Sequence, residues 1–136
     1  MPEGSNIILR NSNNEVLFFL RDDKPDIPCP GMWALLGGYR EPGETPLECV
    51  IREIKEEIGV VLDPAEVTHH CTRRRPWGLL EHTFTAHRDL DLDQTTLTEG
   101  QKLKWFSQTE CAETTLGFEE NEMMAAYFAG EQHPVS

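Results

Sequence analysis

The sequence predicts an α/β (α+β) fold, a mixed β-sheet sandwiched between α-helices, and three observations carry that prediction. Short apolar runs of strand type recur along the chain ("NIILR", "EVLFFL", "QKLKWFS"), a well-punctuated amphipathic helix lies among them, and a second helical pattern follows at the end. With 136 residues the chain is expected to form one domain, residues 1–136, long enough to bury about two-thirds of its unfolded surface.

In order along the chain, "NIILR" and "EVLFFL" flank "NSNN", whose side chains favour a turn, so two paired strands are expected. "RDDKPDIPCPG" holds three prolines and a glycine and reads as an irregular loop, a candidate wall of a site, leading into "MWALL". Thr45-Pro46-Leu47-Glu48 then reads as a helix start, with Thr45 as N-cap, Pro46 at the first helical position and Glu48 closing a capping box. Gly59 is the matching stop. Leu47, Val50, Ile51, Ile54 and Ile58 fall within an arc of roughly 100°, the stripe a core-facing helix needs. "HHCTRRRPWGLLEHTFTAH" reads as two strands around a Pro76-Trp77-Gly78 turn, and "QKLKWFS" as a late strand. Ser107 and Glu110 form a second capping-box pattern, and "FEENEMMAAYFAG" reads as a terminal helix stopped by Gly130.

The net charge of −12, from 24 acidic against 12 basic residues, argues against broad binding to nucleic-acid polymers or anionic membranes, whose partners carry positive footprints. An anionic ligand must be met locally or through metal cations. No apolar run approaches the roughly 20 residues a membrane span requires. Cys29, Cys49, Cys71 and Cys111 include no C-x-x-C pair, and the opening "MPEGSNIILR" lacks a basic and apolar leader, so a reduced, cytoplasmic protein is expected.

The predicted helix has a second face. Glu53, Glu56 and Glu57 share another arc of roughly 100°, because residues three and four apart are neighbours on a helix. A solvated face rich in Glu and Lys would look the same, with Arg52 pairing to Glu48 and Glu56, and the repulsion would cost only about 0.2–0.5 kcal/mol per pair. The alternative is a site for a hard cation, which takes carboxylate oxygens.

The wider pattern separates these two. Gly38, five residues, Glu44, seven residues, then "REIKEEIGV" from Arg52 to Val60 match the Nudix hydrolase signature at every specified position, Ile54 and Val60 included. A chance match is on the order of one in a million. The chain thus resembles a MutT-like Nudix hydrolase. The signature covers residues 38 to 60, and "MWALLGG" and "EGQKLKWFS" extend the likeness, although Leu36 stands where many relatives have proline.

The resemblance implies a signature loop–helix–loop that holds divalent cations, Mg²⁺ or Mn²⁺ in its place, and hydrolysis of a nucleoside diphosphate linked to another moiety. It makes Glu53, Glu56 and Glu57 cation-coordinating carboxylates, with Glu53 also placed as a general base. Gly38 would offer its backbone carbonyl, Arg52 would hold neighbouring glutamates, and Glu44 would support the edge of the site. Glu99, in "LTEGQ", resembles the position of a further metal ligand or base, and on its own reads as an exposed loop residue. The implied substrate is a nucleotide-type small molecule, with nucleoside triphosphates, oxidised ones among them, ahead of nucleotide sugars such as ADP-ribose. A non-catalytic nucleotide-binding module and simple divalent-ion binding are the rival classes, and a homodimer is common among relatives. The chemistry agrees with this: in an acidic protein a pyrophosphate must be neutralised before water can attack it, and Mg²⁺ does so between carboxylates and phosphates.

Arg73, Arg74 and Arg75 beside Trp77 suit phosphate and base contacts, or else solvate a sheet edge, and strand alternation sends Arg74 away from its two neighbours. Trp33 and Trp105 sit in apolar runs and read as core, and the cysteines as buried thiols. His69, His70, Cys71 and His82 follow no zinc spacing.

Overall fold

The computed structural model describes residues 2–130. Its first hairpin follows from the expected turn chemistry: Asn11 Oδ1 accepts from the N–H groups of Asn13 (3.0 Å) and Glu15 (2.9 Å). This turn sets β1 (Glu3–Arg10) beside β2 (Val16–Leu20) at Arg10↔Val16. The rest of β1 pairs elsewhere, antiparallel with β4 (Leu36–Tyr39) and parallel with β6 (Leu80–His87) over its whole length. Six consecutive buried residues in β1 explain why it is central, with partners on both edges and helices over both faces.

Strand β2 carries β3 (Trp33–Ala34) on one edge and β7 (Lys102–Phe106) on the other, while β5 (Thr68–Arg74) completes the far side beyond β6. Alternation along β1 then divides the core. Ile7 and Leu9 join Leu36, Val50, Ile54, Ile58 and Phe84 under α1 (Pro46–Ile58), whereas Ile8 joins Phe18, Phe106, Leu116, Met123 and Met124 under α2 (Gln108–Glu113) and α3 (Asn121–Phe128). The sheet is mixed and lies between helices, as the sequence predicts.

Helix α1 forms where its caps place it. Thr45 Oγ1 accepts from Glu48 N–H at 3.1 Å, Glu48 Oε1 accepts from Thr45 N–H at 2.8 Å, and Gly59, at φ 71°, donates to the Lys55 carbonyl. Its core stripe includes Cys49, which the apolar pattern omits, beside Val50, Ile54 and Ile58. Ser107 and Glu110 likewise cap α2 reciprocally.

The expected terminal helix is broken. Gly117–Glu119 form a 3-10 turn in which Phe118 and Glu119 adopt φ of 58° and 55°, and α3 starts only at Asn121. Asn121 fixes the break, because its side chain accepts from Leu116 N–H and donates to the carbonyls of Cys111 and Thr114. Among the described residues no helix is long and apolar enough to cross a membrane.

Candidate functional site

The site is assembled where β4 passes over the acidic face of α1. Gly37 and Gly38 pair with Asn6 and Ser5 of β1, and the approach is so close that side chains are excluded there. A Cβ on Gly38 would collide with the Glu53 carboxylate, and one on Gly37 with the Ser5 carbonyl. Beneath them Ser5 Oγ donates to the Pro46 carbonyl at 2.8 Å, and Cys49 Sγ lies 3.6 Å from the Gly38 carbonyl oxygen. The first turn of α1 is thereby tied to the strand that carries Gly38. Leu36, in place of proline, is itself a β4 residue paired with Ile7.

Arg52 organises the carboxylates. Its Nε and Nη2 grip Glu44 at 2.5 and 3.0 Å, Nη1 reaches Glu53 at 2.9 Å and Glu56 at 3.1 Å, and Nη2 also donates to the Tyr39 carbonyl at 3.1 Å. Glu44 first, and Glu53 after it, hold the guanidinium protonated against the opposing effect of burial. The hydrogen bond from Arg52 also keeps Glu44 below the usual carboxylate range.

Glu57 is in a different position. Burial first, then a hydrogen bond shared with Glu53, the charge of Glu53 and that of Glu99 push its pKa up to about 9, opposed by a hydrogen bond from Gly37 N–H. Two carboxyl groups at such range need a proton or a cation between them.

The predicted residues therefore do not converge equally. Glu53 and Glu57 meet beneath Gly37 and Gly38, whereas Glu56, with its side chain 57% exposed, turns to Arg52. Glu99 enters the field of Glu57 because Thr98 closes the end of α1: its N–H donates to the Glu57 carbonyl at 2.9 Å and its hydroxyl to the Glu56 carbonyl at 3.2 Å. Among the described residues no three acidic, histidine or cysteine side chains stand close enough to hold an ion without rearrangement. The donor set nevertheless fits a hard divalent cation, being all oxygen, anionic, and raised in pKa where two carboxyls meet. Sequence reasoning missed the Tyr39 carbonyl, the Gly37 N–H and Thr98. Backbone groups leave no residue-type signal, although Thr98 sits beside Glu99 just where α1 needs partners for its last carbonyls.

The other candidates lie elsewhere. Arg73 and Arg75 are buried in ion pairs with Glu81 and Glu120, at 2.7 to 3.3 Å, so they do not offer free guanidinium groups to phosphate. Arg74 is exposed on the other side of the strand, as alternation predicts. His82 bridges Glu3 and Thr72, and His69 also contacts Thr72. Cys49, Cys71 and Cys111 are buried free thiols and Cys29 is half-buried. Trp33 and Trp105 are partly buried against the two cores.

A mixed sheet held between helices, with a glycine-lined strand laid over a carboxylate-bearing helix, defines an α+β domain whose acidic site lies at the junction of β4 and α1. The sequence profile of the NUDIX domain family matches residues 2–127, and the chain belongs to that family. The nucleoside triphosphatase NudI of Enterobacter sp. (strain 638) is 39% identical over 71 residues, covering 52% of this chain and 44% of the relative. The matched segments span less than half the length of the first curated relatives. The MutT protein of Methanosarcina mazei Go1 has the same fold, with a TM-score of 0.80 at 20% identity over 95% of this chain and 94% of that one. The NUDIX domain of Shewanella oneidensis NrtR, complexed with ADP ribose, superposes with a TM-score of 0.74 at 18% identity, covering 94% and 86%.

Proposed function

We propose that the protein is a divalent-cation-dependent pyrophosphohydrolase acting on a nucleoside diphosphate linked to another moiety. The observation that carries this reading is the Glu53–Glu57 pair pressed together beneath the Gly37–Gly38 backbone, with Glu57 raised to about 9. Family membership supports the same chemistry.

Glu53, Glu57 and the Gly38 carbonyl would hold the cation, Mg²⁺ or Mn²⁺, with Glu56 and Glu99 completing the anionic wall. Bound there, it would neutralise the oxygens of a diphosphate and make an attacking water more acidic. Arg52 fixes the Glu53 carboxylate through Nη1 and the loop through Glu44 and Tyr39, so that Glu53 presents a set orientation for accepting the proton of that water. Water adds to phosphorus as the phosphoanhydride P–O bond breaks, and the displaced phosphate leaves as the anion. The unpaired cysteines are compatible with a reducing compartment such as the cytoplasm.

For the substrate, the NudI likeness favours nucleoside triphosphates. The ADP ribose held by the Shewanella domain keeps nucleotide sugars as the second reading. The test is release of phosphate and pyrophosphate, with Mg²⁺ and with EDTA, from triphosphates, oxidised dGTP, nucleotide sugars and dinucleoside polyphosphates. Metal-dependent turnover supports the enzyme and identifies its substrate class. A folded protein that binds nucleotides but turns none over would instead be a binding module.

A further inference from the structure

The face of the sheet under α3 is only partly covered, and the reason is length. Helix α3 and strands β1 and β6 have 8 residues each, but such a helix spans about 12 Å and such a strand about 26 Å. Glu120, just before α3, pairs with Arg73 at the end of the sheet that carries Gly38, and the helix runs out before the strands do. What remains at the far end is a cavity of about 170 Å³. Arg10, Thr85 and His87 of β1 and β6 line it together with Thr68 of β5, Glu66, and Tyr127 from the last turn of α3.

Alternation sets its donors on one face. Arg10 pairs with His87, Ile8 with Thr85, and Thr85 with Thr68, so all of these share the face on which Ile8 enters the core. Arg10 thus stands where the pattern would bury one more apolar residue.

The charge balance here is the reverse of the chain's. Among the described residues Arg10 has no carboxylate at ion-pair distance. Its neighbour is Tyr127, whose hydroxyl is pushed above its ordinary range by burial, while a hydrogen bond with Arg10 and the charge of Arg10 act the other way. Glu66, the carboxylate in the lining, is held by Arg88 at 2.7 and 3.2 Å. Asp89, two residues past His87, is taken by the N–H and hydroxyl of Ser12 at 2.7 and 2.5 Å. At the end of α3 the carbonyls of Ala125 and Tyr127 accept from Ala129 and Gly130 N–H. The cation facing the cavity is therefore left for a ligand, in a protein whose net charge is −12.

The shape and size of the cavity define that ligand. A guanidinium suits the oxygens of a phosphate or a carboxylate. Hydroxyls reach in from the sheet at Thr68 and Thr85 and from the helix at Tyr127, with His87 at the strand end, and donors arriving from several sides fit a tetrahedral ion better than a planar carboxylate. The volume exceeds the roughly 30 Å³ of a water and is close to the ~150 Å³ of a cavity that admits benzene, but lies below the ~300–1,000 Å³ of sites for drug-sized ligands. A free oxyanion fits, and a nucleotide does not.

We infer that this cavity is a binding site for a free phosphate-type oxyanion, held by Arg10, Thr68, Thr85, His87 and Tyr127. It is separate from the candidate cation site, because the stretch of β1 from Ser5, which pairs with Gly38, to Arg10 is roughly 17 Å of extended chain. The site stands independently of the pyrophosphohydrolase reading. Under that reading, its ligand belongs to the class of ion that the reaction releases.

The test titrates inorganic phosphate into the isotope-labelled protein in EDTA and follows the backbone amides by NMR. Saturable shifts in the millimolar range, largest around Arg10, Thr68, Thr85 and His87, are expected, with sulfate producing the same pattern and acetate not. Arg10→Gln should weaken binding roughly tenfold or more, in keeping with loss of a charge-assisted hydrogen bond, and Arg10→Lys should restore part of it. Thr85→Val, which leaves the guanidinium in place, should weaken it severalfold and decides the matter if circular dichroism shows Arg10→Gln to be misfolded. Absence of saturable shifts, shifts centred on Gly37 and Gly38, an equal response to acetate, or wild-type affinity in the folded variants would each overturn the site. Turnover is not read in this experiment, so its failure leaves the hydrolase standing, and failure of the hydrolase leaves the site.

Discussion

Two charge clusters flank Gly4 at one end of the sheet, and their balance differs. On the α3 face, Arg73 and Arg75 meet Glu81 and Glu120, two cations with two anions, all nearly inaccessible to water. On the α1 face, Arg52 is shared among Glu41, Glu44, Glu53 and Glu56, with Arg40 reaching only the outer loop at Glu44, while Glu57 and Glu99 add further negative charge. The compensated cluster is complete by itself and serves architecture, anchoring the 3-10 turn and α3 to the sheet. The uncompensated one is stable only with a proton or a cation, which is what a site for metal and phosphate chemistry requires.

The largest expected effect breaks the uncompensated side. Glu57→Gln keeps the shape and removes the charge, and should lower kcat/KM in the phosphate-release assay by about a thousandfold, in the range attributed to a lost acid–base or liganding group. Turnover close to wild type would remove Glu57 from the chemistry. The compensated side should respond in stability instead. Glu120→Ala leaves two buried guanidinium groups with one carboxylate and should cost about 3–5 kcal/mol in urea denaturation. A cost below about 1 kcal/mol, the range of a surface pair, would mean that water reaches this cluster.

Titration separates the two further. Glu57 stands at about 9 in the cation-free fold against an ordinary value of 4.5. A carboxyl raised in this way stabilises the fold fully below its unfolded pKa, and that contribution is lost as pH rises through the folded value. Without cations, thermal stability should therefore fall as pH rises from about 4.5 to about 9, and the rise in Tm produced by Mg²⁺ should grow over the same window, by several degrees. Scanning calorimetry in EDTA and in Mg²⁺ reads both slopes. Glu57→Gln should flatten the cation-free one, and a wild-type slope unaffected by that substitution would assign the effect to another group.

The same contrast explains what was legible in the sequence. Helix α1, its caps and its acidic face depend on residues three and four apart, so local spacing revealed them along with the Gly38-to-Val60 pattern. The compensated cluster depends on partners 47 residues apart, Arg73 and Glu120, and no local rule pairs them. Reading "FEENEMMAAYFAG" as one helix hid both the ion pair and the break at Phe118. The parallel pairing of β1 with β6 was hidden likewise, since alternation gives a strand its faces and not its neighbours. Within the site, the pattern placed Glu56 with Glu53 and Glu57, but Arg52 competes for Glu56 at 3.1 Å, and that competition depends on a side-chain rotamer.

The smallest prediction tests whether the charge imbalance or the mere number of contacts to Arg52 matters. Glu41 is the outermost partner, 3.5 Å from Nη1 with its side chain 63% exposed. An exposed ion pair contributes about 0–1 kcal/mol, and salt screens it. Glu41→Gln should therefore change stability by less than about 0.5 kcal/mol and leave kcat and KM within about twofold at moderate ionic strength. Because Arg52 keeps Glu44, Glu53 and the Tyr39 carbonyl without Glu41, the orientation of Glu53 should survive the substitution. If Glu41→Gln instead lowered kcat tenfold, the outer carboxylate would be part of the cation's environment, and the boundary between the charged wall and its solvated rim would have to move outward from Glu44 to Glu41.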